Sequence, residues 1–167
     1  ATLRHMMIEA RHDIRVFEAV TSPFLVAREA ENCLMLGIMS SLGGRADSTN
    51  TRTGAAPLLI SVMEDSKTVG AALMTPPYNL VVSRMPENAA RALAKWTVNE
   101  KISPAGVIGP SEPAEWFADA WREHTLGDAH VDMREFIYSA HAVADVPRAP
   151  GALRPATPND ADTIVGW

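Results

Sequence analysis

Between residues 57 and 75 the hydrophobic period switches to two, and that switch constrains the fold more than any other feature. Pro57 to Met63 and Thr68 to Thr75 read as strands on either side of Glu64-Asp65-Ser66-Lys67, a hairpin with a short polar turn. A sheet that starts this way needs an apolar layer against at least one face. The flanking sequence supplies helices for it. Ser22 is a good N-cap and Pro23 suits a first helical position. Phe24, Ala27, Leu34, Ile38 and Leu42 then share one helical stripe, and Gly43-Gly44 stops the helix. Within it Cys33 to Met39 is apolar all round, so that end is expected to be deeply buried.

The remaining chain continues in the same manner. The first ten residues carry no clear period, and residues 1–12 are expected to be a loose arm. Asp13 to Val20 is ambiguous: Ile14 and Val16 alternate like a strand, while Phe17 and Val20 also fit one helical face. Arg45 to Ala56 is small, polar and turn-rich, a surface loop. After Pro76-Pro77-Tyr78, Asn79 to Arg84 resumes as a third strand. Met85-Pro86-Glu87 then opens a helix to about Asn99. Ala105 to Gly109 is a short, doubly apolar strand of the kind found inside a sheet. Ser111 is expected to cap a helix carrying Phe117, Ala120, Trp121 and His124, which Gly127 ends. Ala129 to Ala142 alternates as a long strand or hairpin arm.

Composition adds exclusions. The formal charge of −5 argues against a general nucleic-acid binder, and no apolar run approaches the roughly 18 residues of a membrane span. A single cysteine cannot form an internal disulfide, which fits a reducing cytoplasm, and Cys33 lies in an apolar run that suggests a buried, inert thiol. His124, His130 and His141 are 6 and 11 residues apart, a spacing that matches no ligand motif, so no metal is expected. Trp116, Phe117 and Trp121 read as core or interface residues, and Met35, Met39, Met63 and Met74 as core filling.

Residues 144–152 form a linker by composition. Leu153 to Thr157 follows as a short strand, and Pro158 onward as an acidic first helical turn with Asp160 and Asp162 complementing the dipole. Residues 153–167 thus read as the start of a second domain of a longer protein. Their exposed apolar residues are expected to promote self-association, such as a homodimer.

This order of elements, together with Ala30-Glu-Asn-Cys-Leu-Met-Leu-Gly-Ile38, Val69-Gly-Ala-Ala-Leu-Met-Thr-Pro-Pro-Tyr-Asn-Leu80 and Val107-Ile-Gly-Pro110, resembles the GNAT acetyltransferase superfamily. It is similar to the N-terminal, degenerate half of two-domain bacterial GNAT proteins, over about Ile14 to Trp167. The resemblance implies a mixed α/β (α+β) fold, with a largely antiparallel central sheet flanked by helices, occupying residues 13–143. It implies acetyl-CoA as co-substrate and a small-molecule or peptide amine as acceptor, with no nucleic acid or membrane partner. The catalytic half would then begin at residue 153.

GNAT enzymes hold the CoA pyrophosphate with a Gln/Arg-x-x-Gly-x-Gly/Ala loop at a helix N-terminus. The resemblance puts Ser83 to Ala89 there, with Arg84, Asn88 and Ala89 as the cofactor-binding candidates. The pattern then fails: Glu87 replaces the glycine and Pro86 lacks an N–H. A carboxylate about 5 Å from a phosphate costs about 3 kcal/mol at an effective dielectric near 20, more than a hundredfold in affinity. This half is therefore not expected to bind CoA in the usual way. Thr75 to Asn79 interrupts the sheet where GNAT folds often place the acceptor, which makes Tyr78 and Asn79 substrate-binding candidates, against a plain bulge stiffened by two prolines. The competing function is a binding or dimerisation domain that kept the fold and lost the chemistry.

Overall fold

The computed structural model describes residues 5–44, 55–147 and 150–166; most of the loop expected over 45–56, and Trp167, lie outside them. The described chain is a mixed α/β fold built on five strands whose order in the sheet follows their order in sequence. The expected hairpin is its centre. β2 (Leu58–Glu64) and β3 (Lys67–Met74) pair antiparallel, with a bulge between Val62 and Met63. Asp65 and Ser66 take φ of 47° and 66° in the turn, the left-handed geometry that matches the twist of paired strands. β4 (Leu80–Val82) joins β3 antiparallel, and β5 (Val107–Ile108) joins β4 parallel.

Four sequence expectations about strands need correction. Residues 1–12 are not all a loose arm, because β1 (Met6–Arg11) pairs antiparallel with β2 from Met6↔Glu64 to Arg11↔Leu59. Its period is obscured because it is an edge strand, half-buried through Met6 and Ile8 and otherwise held by the ladder and an Arg11–Ser61 hydrogen bond of 3.3 Å. β5 lies at the opposite edge rather than inside the sheet, and both its residues are half-buried. Ala129 to Ala142 forms no strand and is almost wholly exposed; Leu153 to Thr157 forms none either.

The helices cover both faces. On one, α1 (Ile14–Val26) and α2 (Cys33–Gly43) enclose Phe17, Leu25, Met35, Met39, Leu59 and Leu73. Asp13 caps α1 by accepting from the Arg15 amide at 2.8 Å, so the open reading of 13–20 resolves as helix and Ser22 is not an N-cap. Pro23 sits near the helix C-terminus on an exposed side, where the helical donor that proline lacks is missing at a solvent-facing position.

The single expected helix of 23–42 is broken between Val26 and Cys33, where Asn32 organises the turn. The buried side-chain amide of Asn32 donates to Leu25 O at 2.9 Å and Arg28 O at 3.1 Å, satisfying one carbonyl in the last turn of α1 and one just beyond it. α2 then restarts and buries only Met35, Met39 and Leu42, spaced as one helical face. Leu34 and Cys33 are exposed, contrary to the expectation of deep burial.

On the other face lie α3 (Glu87–Asn99) and α4 (Ser111–His124). α3 buries Ala89, Ala90, Leu93, Ala94 and Thr97, and the three alanines leave room for close packing beside Leu93. Phe117 enters this core and stacks on half-buried Trp121 with ring centroids 6.0 Å apart. Ser111 is the first helical residue rather than the cap, a position held by Pro110. Beyond α4, the described residues of 126–147 and 150–156 have no regular structure. A short 3₁₀ turn (Pro158–Asp160) and α5 (Ala161–Val165) follow.

Candidate functional site

The sequence-derived candidates fall at the two ends of β4. Arg84 follows its C-terminal end and Asn79 precedes its N-terminal end. Roughly 16 Å of extended chain separates them, at about 3.3 Å per residue. The structure therefore does not gather them into one compact cluster.

At the C-terminal end, Ser83 extends the strand ladder. Its amide donates to Ala71 O at 2.9 Å, and its buried hydroxyl accepts from the Ala71 amide at 2.9 Å while donating to Arg84 O at 3.0 Å. That fixes where Arg84 leaves the sheet. Its guanidinium Nε donates to Glu31 Oε2 at 3.0 Å, and Nη1 lies 3.7 Å from Glu112 Oε2. Arg84 is thus held between two carboxylates, one just before α2 and one in the first turn of α4. Glu87 occupies the first turn of α3 and faces Arg91 at 3.8 Å. The Ala89 and Ala90 amides both donate to Pro86 O at 3.0 Å, so these donors are taken up by the chain, while Asn88 is exposed. An anion arriving here meets a carboxylate, a proline without an N–H and an arginine already paired with Glu31.

At the N-terminal end, Thr75 to Asn79 makes a turn, closed by the Tyr78 amide donating to Thr75 O at 3.1 Å, with the Pro76–Pro77 bond cis. It is a connection between β3 and β4 rather than a bulge within a strand. An open cavity of about 470 Å³ lies beside it. Its walls are apolar: Leu34 and Ile38 from α2, Leu73 and Val81 from the sheet, and Ile108 from β5. Thr75, Tyr78 and Asn79 give it a polar rim. Gly106 allows the close approach of this rim to the chain before β5, since a Cβ there would lie 3.1 Å from Asn79 Oδ1. Leu80 donates from its amide to Gly106 O at 2.9 Å, pinning the two segments together.

Leu34 and Ile38 are the lining residues that sequence reasoning assigned to a buried stripe. Their one available signal is that α2 is apolar on more sides than a single core contact can cover. The cavity offers hydrophobic surface, one hydroxyl, one phenol and one carboxamide, a set suited to binding and orientation. Among the described residues no three of His, Cys, Asp and Glu come together as a metal site, and His124, His130 and His141 are all exposed. Among the same residues no helix is long and apolar enough to cross a membrane.

No family model matches the chain, and no curated protein or solved structure matches it.

Proposed function

We propose that the chain is a GNAT-like domain whose parent protein transfers an acetyl group from acetyl-CoA to an amine in the cytoplasm, and that this half is non-catalytic. The sequence resemblance and the order of strands and helices, with antiparallel β1–β4 and a parallel β5, support the reading. The observation that carries the non-catalytic assignment is the pairing of Arg84 with Glu31 at 3.0 Å, beside a loop whose Ala89 and Ala90 amides are turned onto Pro86 O. A pyrophosphate would have to displace Glu31 and approach Glu87 to settle there.

In this reading the apolar cavity beside Tyr78 and Asn79 takes the hydrophobic part of the amine acceptor. Tyr78 Oη and the Asn79 carboxamide then orient its polar end. Acid–base and oxyanion-stabilising groups come from the other half of the parent, where the amine attacks the thioester directly.

Calorimetric titration of the chain with acetyl-CoA tests the assignment. Binding no tighter than about millimolar is expected, from the repulsion of about 3 kcal/mol that Glu87 imposes. Micromolar binding abolished by Arg84→Ala would overturn it. Micromolar binding that survives Arg84→Ala but falls with Tyr78→Ala would move the cofactor to the cavity and overturn the acceptor role.

A further inference from the structure

The connection after α4 carries apolar side chains that nothing in the described chain covers. From His130 to Pro147 every residue is exposed, and no backbone hydrogen bond ties this stretch to a described element. Val131, Met133, Phe136, Ile137 and Tyr138 are 56, 70, 79, 58 and 88% exposed. In an extended chain Val131, Met133 and Ile137 point to one side, and Phe136, Tyr138, Ala140 and Ala142 to the other. Such a segment suits a strand covered on both faces.

The same chain carries a matching acceptor. β5 is the edge of the sheet, and its outer side is unpaired among the described residues. Val107 packs toward the α3–α4 core and Ile108 toward the α1–α2 core, so a strand added at this edge needs apolar side chains on both faces. The chain's own arm does not fill it. Arg134 Nη2 lies 3.7 Å from Glu115 Oε1 on α4, with the ladder positions beside β5 left empty.

We propose that residues 129–142 of a second copy pair with the free edge of β5, in a reciprocal exchange that forms a two-fold dimer. Donor and acceptor lie on one chain, so two copies can exchange arms reciprocally. The area is sufficient. Phe136 and Tyr138 each carry about 150–250 Å² of surface, and with the three aliphatic residues one arm hides on the order of 500 Å². Two arms give about 1,000 Å², the threshold for a specific interface, before any main-chain pairing is counted.

Sedimentation equilibrium combined with hydrogen exchange at low and high protein concentration tests this. The expected result is a dimer in which the amides of 131–139 become protected as concentration rises. Ile137→Pro, which cannot join a ladder, and the double variant Phe136→Asp/Tyr138→Asp are each expected to weaken dimerisation at least tenfold. Both leave the helical circular dichroism unchanged, since the arm contributes nothing to the described core. A monomer at every concentration overturns the proposal, whether or not 131–139 is protected. So does a dimer untouched by the arm variants, or one lost only with Ile164→Asp/Val165→Asp.

Discussion

Arg84 Nε lies 3.0 Å from Glu31 Oε2, joining the β4–α3 loop to the turn before α2 across 53 residues of sequence. Both side chains are about two-fifths exposed, so solvent screens the pair and its contribution is at most about 1 kcal/mol. A double-mutant cycle of Arg84→Ala and Glu31→Ala, followed by urea denaturation, is expected to give a coupling of about 0.2–1 kcal/mol. A larger coupling would mean that the loop depends on this pair for its shape.

Phe17 and Val16 report how residues 13–20 are folded. A strand would put Ile14 and Val16 on one side, whereas α1 buries Ile14, Phe17, Thr21 and Leu25 and leaves Val16 44% exposed. Phe17→Ala is expected to cost about 3–5 kcal/mol, a large part of a typical domain's stability. Val16→Ala should stay within about 0.5 kcal/mol. Thermal or urea unfolding of the two variants separates them.

Gly109 follows β5 where it passes the end of β4. A Cβ there would lie 2.4 Å from Val82 O and 2.6 Å from Val82 Cγ2, and one of those atoms is backbone that cannot swing away. Gly109→Ala is expected to destabilise by about 1–3 kcal/mol and to raise amide exchange in β4 and β5. Gly37→Ala, which meets nothing within 4 Å, is the matched control and is expected to be neutral or slightly stabilising.

Among the described residues, Asp160 is the one carboxylate whose titration the structure clearly shifts. Arg154 grips it bidentately at 2.7 and 2.8 Å, and the Thr157 amide and hydroxyl donate to it at 2.7 and 2.8 Å. The Arg154 hydrogen bonds first, and those from Thr157 next, hold its carboxyl well below the usual carboxylate range. A lowered value in the folded state favours the ionised form. Its support for the turn at 157–160 is therefore complete above the unfolded value of about 3.9, and is lost as pH falls through the lower folded value. Carboxyl NMR is expected to show Asp160 still ionised below the usual carboxylate range, and Arg154→Ala is expected to raise its midpoint.

Local chemistry made much of the fold legible. The hairpin of β2 and β3 showed itself through alternation and a polar turn, α3 through Pro86-Glu87 and its apolar face, and the end of α2 through Gly43-Gly44. β1 was not legible, because an edge strand is held by main-chain pairing that places few demands on side chains. The break between α1 and α2 was hidden too. Its cause is Asn32 reaching carbonyls four and seven residues back, an interaction that leaves no periodic trace.

The candidate site divides in the same way. The charge of Glu87 and the absent N–H of Pro86 are properties of residue type at a position, so the sequence alone disclosed them. That Arg84 is occupied by Glu31, and that Leu34, Ile38, Val81 and Ile108 wall a cavity beside Tyr78 and Asn79, depends on segments far apart in the chain. Alternation in 129–142 marked those residues as able to form a strand. Whether they find a partner is a matter of tertiary structure, which carries them past α4 and leaves both the arm and the β5 edge open. Side-chain pattern determines which elements a segment can form, because that is local sterics and hydrophobic period. What each element meets is decided only when the whole chain packs, because contact energies lie between residues that sequence does not place side by side.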